Sequence, residues 1–232
     1  MRVAYLEPRQ GADGTNAAST AAIVKALEQH VELERFSAPG GEFQDSRTIK
    51  PKRFDRILGV FENCGDLVHG MRVMRRLGGV AVLHGWRLDE LAREFSPSLN
   101  RGGLGGVFAA LRHGGMREML EWRTGSSAEL AMNRGVVRWA DAFLVEHISL
   151  AHKVQDERNT PTAIQMVPVR IDKRSAEALA ERWFEALELL PCHRAGAKSL
   201  MASAIEGADA DRAARAAEEA LAEANAKAAE ER

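Results

Sequence analysis

The 232-residue sequence has only two cysteines, Cys64 and Cys192, far apart and in no metal-ligand spacing. So few thiols exclude a disulfide framework and fit a reducing compartment. No run approaches the roughly 20 apolar residues that span a bilayer, so no transmembrane segment is expected. The N-terminus, MRVAYLEP, reads as a strand and lacks the charged start and apolar core of a secretory leader. These absences predict a cytoplasmic protein. A surplus of one charge is missing too. Residues 1–172 carry 23 basic and 21 acidic side chains, and residues 173–232 carry 9 and 12. Neither part has the basic excess of a nucleic-acid binder. No metal site is expected.

What is present is the composition of an ordinary globular protein, 45% hydrophobic and 28% charged. At this length the folded chain buries most of its surface without staples. Apolar runs at 2–7, 31–36, 54–62, 80–84, 141–146 and 163–169 alternate with helical patterns. Among these helices, 66–78 has Asp66 as its expected N-cap and a glycine stop. Strand–helix alternation with short turns implies right-handed crossovers and a parallel sheet covered on both faces. The expectation is an α/β fold, a doubly wound, mainly parallel six-stranded Rossmann-like sheet over residues 1–172, followed by a helical extension over 173–232. Within that extension, residues 175–190 gather Leu179, Trp183, Phe184, Leu187 and Leu190 on one face, which should pack on the domain. A further helix is expected over 193–207. Residues 209–232 are alanine-rich with a single large apolar residue, Leu221, and predict an exposed helix without a buried stripe.

In open α/β sheets the ligand sits outside the carboxyl ends of the strands, so the residues after each strand are the candidates. After the first strand, Gly11, Asp13, Gly14 and Thr15 lead into a helix whose free N–H groups favour an anion. No G-x-G-x-x-G accompanies them, so a dinucleotide site is not indicated, and an ordinary glycine-rich turn is the alternative. Glu62 and Asn63 follow the third strand, His84 the fourth, and Glu146 and His147 the fifth. A strand-end histidine is either structural or delivered into a cleft. Gly85 beside His84 leaves its ring uncrowded. Cys64 reads as a packing residue.

The stretch FDRILGVFENCGDLVHGMRVMRRLGGVAVLHGWRLDELA resembles the N-terminal half of retaining, GT-B-type glycosyltransferases of the large glycosyltransferase family 4. MNRGVVRWADAFLVEHISLAHKV is similar to that family's strand ending in His-Ser, and IQMVPVRID to the strand closing its N-terminal domain. The resemblance covers about residues 1–172. It implies an acceptor-binding domain in which His84 occupies the place of the cleft histidine beside the acceptor hydroxyl, with loop 8–16 near the donor phosphates or acceptor. The pattern departs at Gly85, where the family has aspartate, and at Glu146-His147, where it has His-Ser. The family's second, nucleotide-binding domain has no counterpart among these residues, and SAEALAERWFEALELL resembles the helix that crosses back onto the first domain.

The implied function is therefore a glycosyltransferase-related acceptor-binding domain, a remnant or a participant in sugar transfer with a partner that supplies the donor domain. The isolated chain is expected to be inactive. No cofactor is expected; a sugar nucleotide would enter as donor substrate only with a second domain. Two alternatives remain: a non-catalytic module that docks onto a complete glycosyltransferase, and a small nucleotide- or phosphate-binding enzyme of the same fold. The segment 98–125, with six glycines between 102 and 115 and Arg101, Arg112, Arg117 and Arg123 among its apolar residues, reads as a lid or insertion. Phe108, Leu111, Met119 and Trp122 are its expected anchors. The sharper reading makes this loop face a glycan or lipid-linked acceptor and places the protein peripherally at a membrane.

Overall fold

The apolar runs become the strands of one open sheet. They are β1 (Arg2–Leu6), β2 (Glu32–Ser37), β3 (Gln44–Asp45), β4 (Arg56–Phe61), β5 (Val80–Leu83), β6 (Ala142–Val145) and β7 (Ala163–Met166). The computed structural model describes residues 1–8, 17–124, 130–169, 171 and 175–190. The chain divides into two units, Met1–Arg194 and Ala195–Arg232. The second falls outside the described residues, as do Cys192, the expected helix 193–207 and the alanine-rich stretch 209–232.

All strands pair in parallel, in the order β3-β2-β1-β4-β5-β6-β7. The sheet thus has seven strands where six were expected. The additional one, β3, pairs only Phe36↔Gln44 and Ser37↔Asp45, too short to leave a period in the sequence. The helices are α1 (Ala17–Leu27), α2 (Val68–Leu77), α3 (Asp89–Phe95), α4 (Ser98–Arg101), α5 (Gly103–Arg123), α6 (Arg134–Trp139), α7 (Ile148–Arg158) and α8 (Ala176–Leu189). Helix α2 starts one residue later than expected: a 3-10 turn spans Gly65–Leu67, and Leu67 holds the N-cap position instead of Asp66. It ends at Gly78, at φ 72°, where a Cβ would collide with the Asp141 carboxylate.

Side chains alternate across the sheet. Ile57, Phe61, Ala81, Leu83, Phe143 and Val145 face α2, α6 and α7. Leu58, Val60, Val80, Val82, Ala142 and Leu144 face α1 and α8. Helix α8 begins at Ser175, whose Oγ accepts from the Ala178 amide at 3.2 Å, satisfying one orphan donor. Its Leu179, Trp183 and Leu187 are fully buried, and the Trp183 indole donates to the Pro168 carbonyl at 2.9 Å. Phe184 lies at the margin and stacks on His30. The helix is closed from below by Arg56, a buried residue at the start of β4. The Arg56 guanidinium donates to the Leu187 carbonyl, at 3.0 and 3.2 Å, and to that of Leu190. A cation thereby meets the negative end of the helix and satisfies its last carbonyls.

The described part of the segment 98–125 consists of α4 and α5, joined at Gly102. Helix α5 breaks where the paired glycines predict, at Gly115 with φ 83°. Ala109 and Ala110 anchor it against Ala92, Leu99, Leu130 and Met132, with Met119 and Trp122 alongside. Phe108, an expected anchor, is instead 69% exposed, as are Leu104, Met116 and Leu120 to similar extents. His113 is fully buried between Phe95 and Trp139, with Nε2 3.0 Å from Ser96 Oγ. Among the described residues no helix is long and apolar enough to cross a membrane.

Arg56→Met keeps the aliphatic stem but strands the carbonyls of α8. Urea denaturation should show a loss of about 2–3 kcal/mol, with faster hydrogen exchange in the last turn of α8. A loss well under about 1 kcal/mol would mean the guanidinium is dispensable.

Burial, reinforced by the nearby Arg112 and Arg75, pushes the His113 imidazole down to about 4. Above about 6.5 the ring is neutral in both folded and unfolded chains. As the pH falls from about 6.5 towards 4, the unfolded chain takes up this proton and the folded one does not. The fold should therefore lose about 3 kcal/mol across that window. Melting curves of His113→Gln should depend less on pH between 6.5 and 4 than those of the parent chain, and parallel curves would refute this.

Candidate functional site

The strand order reverses between β1 and β4, which makes the carboxyl edge there the place where a ligand is expected. Pairing registers align Phe61 with Leu83 and Leu83 with Val145. One residue further on, Glu62, His84 and Glu146 therefore each follow the end of one of three adjacent strands. Alternation turns them towards the α1 face, opposite to Phe61, Leu83 and Val145. His84 Nε2 lies 3.3 Å from Thr20 Oγ1 on α1 and 3.5 Å from Glu62 Oε1. The hydroxyl and the carboxylate hold the ring through one nitrogen. Gly85 has open space around it, as the sequence suggests. The ring itself is nearly enclosed, with the His84 side chain 3% exposed and that of Glu62 14%.

Beside this cluster, at the carboxyl ends of β1 and β2, lies a cavity of about 570 Å³ lined by Glu7, Ser37, Gly40, Gly41, Glu42 and Phe43 among others. Gly40, at φ 80°, makes the turn that forms its wall. Ser37 Oγ donates to the Phe43 carbonyl at 3.1 Å and fixes that turn. Burial pushes the Glu7 carboxyl above its usual range, partly opposed by Arg35 at 3.4 Å. Tyr5, sealed beneath, has its phenol pushed upward by burial and then by Glu7 and Glu62. The edge is rich in acids: Glu7, Glu42, Glu62 and Glu146 all lie along it. Arg35, its neighbouring cation, is engaged by both Glu7 and Glu28, the latter at 2.7 Å. Among the described residues, such an edge offers acceptors to the hydroxyl groups of a ligand.

The other expected residues fare differently. Gly11, Asp13, Gly14 and Thr15 lie outside the described residues. Asn63 faces α3: its Oδ1 accepts from the Glu90 amide at 2.9 Å and its Nδ2 donates to Asp89 at 3.0 Å. It therefore serves as an anchor for α3. Asp89 is buried, which alone would raise its pKa. Hydrogen bonds from Arg87 and Asn63 outweigh that and hold it below the usual carboxylate range. Glu146 lies 3.8 Å from His147, whose side chain is 73% exposed, so His147 projects into solvent.

Thr20 and Glu7 join the site without having been singled out. Glu7 ends an apolar run just as His84 does, so the same rule selects it. Thr20 carries no such mark, because only the right-handed crossover brings the start of α1 over the strand ends. Among the described residues no group of three or more His, Cys, Asp or Glu side chains is arranged to hold a metal ion. Comparison with known proteins leaves the functional reading to these residues alone: no family model matches the chain, and neither a curated protein nor a solved structure does.

Proposed function

We propose that this domain is the acceptor-binding half of a GT-B-type sugar-transfer system, working with a donor domain that supplies the sugar nucleotide. The observation that carries this reading is His84, held between Glu62 and Thr20 at the carboxyl edge beside the reversal of strand order. Hydroxyl groups of a glycan acceptor would donate to the Glu62 and Glu7 carboxylates. The His84 ring, kept in one orientation by its two partners, would polarise the hydroxyl that attacks. The acid-rich edge supports the acceptor role over the donor role, since a nucleotide diphosphate would meet like charge there.

A second reading has its own support in the 3% exposure of the His84 side chain. A ring so enclosed suits a packing role, and the domain would then be a non-catalytic module that docks onto a complete glycosyltransferase.

Calorimetric titration of the chain with oligosaccharide acceptors and with sugar nucleotides separates the two. The first reading expects glycan binding weakened roughly tenfold, about 1.4 kcal/mol, by either Glu62→Gln or His84→Ala. It also expects weak donor binding and no appreciable nucleotide release without a second domain. Glycan binding indifferent to both substitutions would favour the docking module. Robust turnover by the chain alone, abolished in His84→Ala, would overturn the division of labour altogether.

A further inference from the structure

A second cavity, of about 620 Å³, opens among α2, α5 and α6. Arg75 and Arg138, in its wall, belong to the last turns of α2 and α6. These helices run back to the amino ends of β5 and β6, so this cavity reaches the end of the domain opposite His84. Arg112 and Arg134 complete a set of four guanidinium groups around one space, with Ser96 and Trp139 between them. Arg134 is neutralised by Glu157 at 2.8 Å. Arg75, Arg112 and Arg138 meet no carboxylate among the described residues. Arg75 instead lies over the Trp139 ring, 5.8 Å from its centre, which steadies its planar fork.

Uncompensated like charges gathered in a concave surface concentrate an attractive field for anions. That field is felt inside the protein, where Arg112 and Arg75 add to burial in depressing the basicity of His113. Guanidinium groups grip phosphate oxygens two at a time, with more geometric selectivity than a lysine ammonium. The volume falls within the range of small-molecule sites. The walls are not uniformly polar, for Phe108 and Leu111 line one side and Trp139 the other. Phe108 and nearby Leu104 stand 69% and 79% exposed at the same helix.

We propose that the cavity between α2, α5 and α6 binds a phosphate-bearing organic anion, with its phosphate held by Arg75, Arg112 and Arg138 and its apolar part against Phe108 and Trp139. The phosphate can come from a soluble phosphorylated compound or from the headgroup of an anionic lipid. This site is independent of the His84 edge and of the sugar-transfer reading.

The test titrates the full chain at low ionic strength with inorganic phosphate and with phenyl phosphate by calorimetry. In parallel, it is sedimented with vesicles of phosphatidylglycerol and of phosphatidylcholine. Arg112→Gln combined with Arg138→Gln removes two exposed guanidinium groups without disturbing an ion pair. Arg117→Gln is the control, an exposed residue paired with Glu121 and not part of the cavity. The proposal expects saturable binding, stronger for phenyl phosphate than for inorganic phosphate, and weakened at least about tenfold by the double variant. The control should change it less than about twofold. Binding confined to phosphatidylglycerol vesicles and lost in Phe108→Ser identifies a lipid source, and binding in solution without sedimentation identifies a soluble one. No saturable binding to any of these probes, or an equal loss in Arg117→Gln, overturns the proposal.

Discussion

An all-parallel sheet must be covered on both faces, and the rest of this fold follows from how the chain meets that demand. Right-handed crossovers put α1 on one face over β1 and β2, and α2, α6 and α7 on the other over β4 to β7. The α1 face of β4, β5 and β6 would then lie bare, because a helix about 10 Å wide covers only about two strands spaced at about 4.8 Å. Helix α8 fills that gap with Leu179, Trp183 and Leu187. Burying three such side chains is worth roughly 1.5–3 kcal/mol each. Arg56 fixes where the helix ends, so a charged residue at the foot of a central strand sets the position of an apolar helix. The carboxyl edge inherits its geometry from the same arrangement, since Thr20 reaches His84 only while α1 stays wedged beside α8.

Glutamates follow β1, β4 and β6, and arginines that meet no carboxylate among the described residues gather where α2 and α6 finish. A net charge of −1 reveals neither cluster.

Much of the architecture was legible in the sequence because long-period features survive local detail. Continuous apolar runs such as ILGVF and AFLV announce strands buried on both faces, and the glycine pair at 114–115 announces the break in α5. The seventh strand was illegible because two residues hold no period. Phe108 misled because burial in a helix depends on which neighbour arrives, and the cavity beside α5 leaves it uncovered. At the candidate site, the strand-end rule picks out His84, Glu62 and Glu146 and applies equally to Glu7. The rule cannot foresee that Asn63 turns away to hold the start of α3. Nor can it find Thr20, whose partner is 64 positions distant. The arginine cavity is a property of tertiary structure alone: its members come from three separated segments, and no window along the chain contains them together.

The packing of α8 on α1 joins helices separated by roughly 150 residues of chain. During synthesis, α1 and the strands above it emerge long before the helix that covers them. The apolar stripe of Val60, Val82 and Leu144 therefore stays open until nearly all of the described domain has left the ribosome. Contacts of such high sequence separation are slow to form, and uncovered sheet faces are prone to associate with one another. The same helix that completes the fold thus makes the nascent chain dependent on its own last turns, and a stalled or truncated product would be a natural client for chaperones.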